Sequence, residues 1–254
     1  MVVNDLLLTY YEMGTGSHTI LFLHGWGSNS TLWFKSVAPI LGPAHRFVFL
    51  DLPGFGKSES PKHALSLNDF VEYVSTFCHK REIAPVTVVG HSFGGKVAIR
   101  LTTAHSQYIK GLVLVDSSGL PHTSTLTRAK IAAAKTLKPI FSLPFMHDAR
   151  HTVLRLMGSD DYVADPKLRE TFVRIIQEHI TEDLTRVASP TLIIWGAQDD
   201  NEYTPVTDAT VLHQAIKGST VTIIPGASHY SFMDNSVEFQ KALGAFIAQL
   251  YGKN

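Results

Sequence analysis

The sequence predicts an α/β fold: a doubly wound, mostly parallel sheet carrying one helical insertion. Three observations lead there. Seven apolar runs alternate with stretches of helical period along most of the chain. Residues 120–186 break that rhythm, with helix signals and no strong strand signal. A serine flanked by glycines, in "VTVVGHSFGG", stands where an apolar run gives way to a helical one.

The strand runs are, in order, "LLLTYYE" (6–12), "TILFLHG" (19–25), "RFVFLD" (46–51), "VTVVG" (86–90), "GLVLVD" (111–116), "TLIIWG" (191–196) and "TVTIIPG" (220–226). Their apolar continuity fits strands buried on both faces, as in a parallel sheet. "VVNDLLL" at the start reads as a small hairpin turning at Asn4-Asp5. Helical stretches lie between the runs at 31–41, 67–82, 94–106, 204–217 and 235–250. The second of these carries Asn68 and Asp69 in its opening turn. The alternation implies βα units and a mostly parallel, doubly wound sheet.

Within the insertion, "TRAKIAAAKTL", "DARHTVLRLMG" and "DPKLRETFVRIIQEHI" read as helices, punctuated by Pro139, Pro144, Gly158 and Pro166. The expected division is therefore a core of residues 1–119 and 187–254, and an inserted unit of residues 120–186.

Composition removes several function classes. Lys+Arg and Asp+Glu number 22 each, so no basic excess suggests a nucleic-acid partner. No apolar run approaches the length of a membrane helix, and the N-terminus lacks the pattern of a secretory signal. A soluble, cytoplasmic protein is expected. Cys78 is the one cysteine, lies in a helical pattern and reads as a buried small hydrophobe.

The G-x-S-x-G pattern is weak alone, and its setting makes it informative. A nucleophilic serine of this kind needs a strand, a sharp turn and a helix, with the serine at the strained apex. Gly90 and Gly94 remove side chains that would collide across such a turn, and Gly95 lets the helix approach the sheet. Ser92 is thus the candidate nucleophile. Its hydroxyl needs a base, and the base needs a carboxylate to hold its tautomer. Such partners follow the serine in the order acid, then histidine, each beyond a later strand. "TLIIWGAQDD" places Asp199 beyond one strand, and "TVTIIPGASHYSF" places His229 beyond the next. Asp200 and Asp116 compete with Asp199, since one is its neighbour and the other also ends a strand run. The N–H groups of Phe93, after the nucleophile, and of Trp26, in "LFLHGWGSN", are the candidate oxyanion donors.

The remaining histidines read more plainly. His79, His105, His179 and His213 fall in helical patterns, as surface or half-buried residues, and His18, His45 and His63 fall in loops. His122, His147 and His151 belong to the insertion, where contact with a substrate is the less favoured reading. No histidine and carboxylate cluster has metal-ligand spacing, so neither metal nor cofactor is expected.

In this order, "FLHGWGSNSTLW", "DLPGFGKSES", "GHSFGG", "LVDSSG", "PTLIIWGAQDD" and "IPGASHYSFMD" resemble the α/β-hydrolase fold family, over essentially the whole chain. The resemblance implies that fold, with residues 120–186 as its helical cap. It implies a triad whose acid is the third residue after Gly196, namely Asp199, and a structural role for Asp51. Apolar cap residues, among them Phe141, Leu143, Phe145, Met146, Leu154, Leu156, Met157 and Tyr162, would then supply the cap's own core and part of a pocket. Members with an aspartate nucleophile are set aside by Ser92. Members that cleave C–C bonds of ring-cleavage products usually carry Asn before the serine, Met after it and Trp after the histidine, where this chain has His91, Phe93 and Tyr230. The expected activity is hydrolysis of small to medium carboxylic esters, with a small-molecule ester as partner. C–C bond hydrolysis and a ligand-binding homologue without turnover are the alternatives.

Overall fold

The computed structural model describes residues 1–37, 44–122 and 168–252. The chain opens on the expected hairpin: β1 (Val2–Val3) pairs antiparallel with β2 (Leu6–Leu7), and Asn4 takes the positive φ that the turn demands. The run expected as one strand over 6–12 is two. Leu8 is buried and its N–H donates to the Met1 carbonyl, while the Thr9 N–H donates to Ser58 Oγ at 2.9 Å. Those bonds carry the chain away from the hairpin before β3 (Tyr10–Met13) begins.

β3 joins β4 (Thr19–Leu23), β5 (Arg46–Leu50), β6 (Val86–His91), β7 (Ile109–Val115), β8 (Thr191–Gly196) and β9 (Thr220–Ile224) in a seven-stranded sheet of order β3-β5-β4-β6-β7-β8-β9. β3 runs antiparallel at one edge and the other six strands are parallel. The chain winds first toward β5 and then returns past β4 to β6. The strand order therefore reverses between β4 and β6, where open α/β sheets leave a crevice at the carboxyl ends of the strands.

Both faces of the sheet are covered. Alternation along each strand sends Leu21, Leu23, Val88, Leu112, Leu114 and Trp195 to one face, with α2 (Leu67–Lys80), α3 (Phe93–Ala104) and α6 (Thr207–Ala215). Ile20, Phe22, Phe49, Val89, Val113 and Ile194 go to the other, with α1 (Ser30–Val37), the short α7 (Ser231–Asp234) and α8 (Ser236–Tyr251). Phe239, Leu243, Phe246 and Ile247 recur at the helical period and make the buried stripe of α8. β9 departs from the expectation of a strand buried on both faces. Among the described residues it is an edge strand, and its Val221 and Ile223 side chains stay exposed.

Helix α2 starts on a capping box. Ser66 Oγ accepts the Asp69 N–H, and the Asp69 carboxylate accepts the Ser66 N–H at 2.7 Å. The helix expected over 204–217 begins only at Thr207, since residues 201–206 form turns around Asp199. Of the expected cap, the structure describes residues 120–122 and 168–186, including α4 (Arg169–Gln177) and α5 (Thr181–Leu184). The apolar cap residues named above, His147, His151 and the end of the helix expected over 31–41 lie outside the described residues. Helix α4 ends at Gln177, which leaves His179 beyond the helix in which the pattern placed it. Thr171 Oγ1 and the Glu178 carboxylate accept the N–H groups of Leu65 and Leu67, fixing α4 to the entry of α2. Cys78 is buried in α2, and burial pushes its thiol up to about 12. Among the described residues no helix is long and apolar enough to cross a membrane.

Candidate active site

Ser92 sits between β6 and α3 with φ near +50°, a region that residues other than glycine seldom occupy. Holding it there costs on the order of 1–3 kcal/mol, so the surroundings must impose it. The Ser92 N–H donates to the Val115 carbonyl at 3.0 Å, and the Ser92 carbonyl accepts from Gly95 and Ser118. The glycines make the turn possible. A side chain on Gly90 would strike the Gly94 carbonyl, one on Gly94 the Leu23 carbonyl, and one on Gly95 the Ser117 hydroxyl. Ser92 itself stays partly exposed at the carboxyl edge of the sheet.

Asp199 and His229 stand at the same edge, beyond β8 and β9. The Ala197 and Gln198 N–H groups donate to the Ile224 and Ala227 carbonyls, so the two loops are bonded to each other. Gly196 permits that approach, since a side chain there would meet the carbonyls of Ala227 and Ser228. His229 Nδ1 lies 2.9 Å from Asp199 Oδ2. Asp199 is 2% exposed and also accepts from the Asn201 N–H at 3.1 Å and from Thr204 Oγ1 at 3.3 Å. Thr204 Oγ1 lies 3.0 Å from His229 Nδ1 as well, which closes a three-membered polar cluster. Among the described residues His229 Nε2 has no hydrogen-bond partner, and Ser92 Oγ is not bonded to it. Bonds of that kind tighten in a substrate complex.

The two competing aspartates are occupied otherwise. Asp200 is exposed. Asp116 is fully buried, and its carboxylate accepts the Gly196 N–H at 2.7 Å and the Ser231 hydroxyl at 2.5 Å. Asp51 accepts the N–H groups of Ser30 and Lys57 at 2.7 and 2.9 Å, a loop-binding arrangement that matches its expected structural part.

Trp26 follows Gly25, where a side chain would crowd the His91 ring and the Ser92 Cβ. Behind it, His24 Nε2 accepts the Leu52 N–H at 3.0 Å, so Nδ1 carries the proton and donates it to the Gly25 carbonyl at 2.7 Å. Peptide planarity then points the Trp26 N–H in the opposite direction. The Phe93 N–H belongs to the first turn of α3, where amides lack intrahelical partners. Among the described residues neither amide donates to another group.

His91 was not singled out by its sequence. It is buried at the end of β6, and its Nε2 lies 2.8 Å from the His229 carbonyl, which makes Nε2 the protonated nitrogen. Burial first, and then the proximity of His229, push its pKa down to about 3, so the ring stays neutral. Thr204 was also missed, because a threonine five residues beyond an acid gives no periodic or motif signal. His122 has a partner of its own in Asp208 Oδ2, at 2.7 Å.

A cavity of about 220 Å³ opens beside Trp26, lined by Phe55, Leu168 and Phe172 with Ser28, Asn29 and Arg169. Trp26 packs edge-on against Phe55 and Phe93, at 4.9 and 5.4 Å between ring centroids. A larger cavity of about 540 Å³ lies at the amino ends of the strands, by Thr19, Arg46, Pro85 and Lys110. It is at the far edge of the sheet from Ser92, so volume alone does not locate the site.

The sequence profile of the alpha/beta hydrolase family matches residues 20–242. The dihydrolipoyllysine-residue acetyltransferase component of the acetoin cleaving system of Cupriavidus necator is 28% identical over 95% of this chain, which spans 66% of that relative's length. A 2-hydroxy-6-oxo-6-(2'-aminophenyl)hexa-2,4-dienoic acid hydrolase of Metapseudomonas resinovorans is 24% identical over 94% of this chain and 87% of its own. Among solved structures, a thermophilic esterase from Thermogutta terrifontis superposes with a TM-score of 0.75 at 20% identity, covering 96% of this chain and 94% of the esterase. With a seven-stranded, mostly parallel sheet and a profile match over most of its length, the chain belongs to the alpha/beta hydrolase family.

Proposed function

We propose that the protein is a serine hydrolase of small to medium carboxylic esters. Ser92 attacks the ester carbonyl. His229 accepts the serine proton at Nε2 and passes it to the leaving alcohol, which departs as the acyl-enzyme forms. His229 then takes a proton from water, whose oxygen attacks the acyl carbon, and returns a proton to Ser92 as the acid leaves. Asp199 holds His229 in the tautomer protonated at Nδ1, and the N–H groups of Trp26 and Phe93 bind the oxyanion in both halves of the reaction. No cofactor enters this scheme. The observation that carries the reading is the 2.9 Å contact from Asp199 to His229, at the sheet edge where a strained serine follows β6. The apolar walls of the cavity beside Trp26 suit an acyl or alcohol chain. Residues 120–186 would close over the site as a cap on a core of residues 1–119 and 187–254.

A second reading is favoured by one observation: a C–C bond hydrolase is among the relatives that align over nearly the whole chain. The same triad would serve on a diketone-like acid. Parallel assays of p-nitrophenyl esters of rising chain length and of a ring-cleavage dienoate separate the two. The ester reading expects ester turnover, lost by roughly 10⁴- to 10⁶-fold in Ser92→Ala. Efficient turnover of the dienoate with negligible ester cleavage would replace it with the C–C reading.

A further inference from the structure

We propose that Asp116 is a positioning residue that clamps together the loops carrying Ser92, Asp199 and His229. This rests on the serine hydrolase reading and extends it to a buried group that the reaction scheme leaves unused.

The clamp is built from one short segment. Asp116 follows β7 with a φ near +44°, an unfavourable conformation for a residue other than glycine. That backbone turns its carboxylate toward two neighbouring loops. Oδ1 accepts the Gly196 N–H at 2.7 Å, three residues before Asp199. Oδ2 accepts both the hydroxyl of Ser231, at 2.5 Å, and its N–H, at 3.3 Å, two residues after His229. The same segment reaches the nucleophile. Ser118 donates its N–H to the Ser92 carbonyl at 3.1 Å, and Val115 accepts the Ser92 N–H at 3.0 Å. Residues 115–118 therefore touch the loop of every proposed triad member, and the Asp116 side chain bonds both the acid loop and the histidine loop.

The chemistry explains why a carboxylate stands there. Three donors converge on two oxygens, a demand that an ionised carboxylate meets and an amide does not. Burial works against the ion, and pushes the Asp116 carboxyl up to about 7. Of the groups that bear on it, His229 favours the charged form and Asp199 opposes it. A buried acid retained against that cost serves geometry here, because His229 Nδ1 is already held by Asp199.

Asp116→Asn keeps the shape but turns an NH₂ toward one set of N–H donors, so one arm of the clamp opens. Asp116→Ala removes both arms. Ser231→Ala weakens only the arm to the histidine loop. The experiment is turnover of a p-nitrophenyl ester per active site, with sites counted by fluorophosphonate titration so that misfolded chains drop out. A misplacement on the scale of 1 Å costs on the order of 100-fold in rate. Asp116→Asn is therefore expected to lose about 10- to 100-fold in kcat per titrated site with KM nearly unchanged, Asp116→Ala more, and Ser231→Ala about 3- to 10-fold. Wild-type kcat per titrated site in Asp116→Asn, whatever its Tm, would overturn the clamp. If Asp116→Asn yields no titratable sites, wild-type turnover per site in Ser231→Ala overturns it. Full ester hydrolysis in Ser92→Ala would instead remove the serine hydrolase reading on which the clamp rests.

Discussion

Asp199 and Asp200 are neighbours of identical chemistry that the fold treats in opposite ways. Asp199 is buried against His229, Thr204 and Asn201, and Asp200 faces solvent. Adjacent residues in an extended loop point in different directions, so one of the pair reaches the histidine. Asp199→Asn is expected to keep the fold and lose roughly 10⁴-fold in kcat, because the amide presents the wrong partner to His229 Nδ1. Asp200→Asn is expected to stay near wild type, and Asp116→Asn to lose far less than Asp199→Asn. A ranking of kcat across the three variants checks this; an Asp116→Asn loss exceeding that of Asp199→Asn would transfer the acid to Asp116. The candidates Ser92, Asp199 and His229 come from a motif and a strand order. His91 and Thr204 do not. Their parts depend on which loops meet in space, and no spacing along the chain encodes that meeting.

At the scale of the element, most strands and helices follow from pattern alone. The parallel strands β4 to β8 read as apolar runs because helices cover both faces. The misreadings fall at the edges. The run over 6–12, rich in leucine and tyrosine, reads as one strand, yet the bonds of Leu8 and Thr9 to Met1 and Ser58 divide it. β9 carries Val221 and Ile223 at exposed positions of an edge strand, where composition gives no sign of exposure. Helix starts were more legible where a side chain caps them. Ser66→Ala removes the acceptor of the Asp69 N–H and is expected to destabilise the protein by about 1 kcal/mol. In a domain of this size that lowers Tm by about 2–4 °C, with kcat unchanged. A thermal melt beside an ester assay tests it; an unchanged Tm would mean that the capping box adds nothing in the folded protein.

For the molecule as a whole, buried histidines tie stability to pH. His91 is held neutral, with its pKa pushed to about 3, and burial lowers that of His24 as well. An ordinary histidine titrates near 6.5. Between those values the unfolded chain binds more protons than the folded one. The stability that goes with neutral His91 is therefore complete above about pH 6.5 and is lost as pH falls toward 3. His91→Gln cannot take up that proton, so its Tm should fall less than that of wild type between about pH 7.5 and 5. An equal fall in both proteins would assign the acid sensitivity to other groups. The central claim is that this whole fold delivers one activated hydroxyl, at the apex after β6. Mass analysis of the intact chain after exposure to a fluorophosphonate measures it most directly. The prediction is a single adduct, mapped to Ser92 and absent from a folded Ser92→Ala variant; an unlabelled wild type, or an adduct that persists in Ser92→Ala, would contradict it.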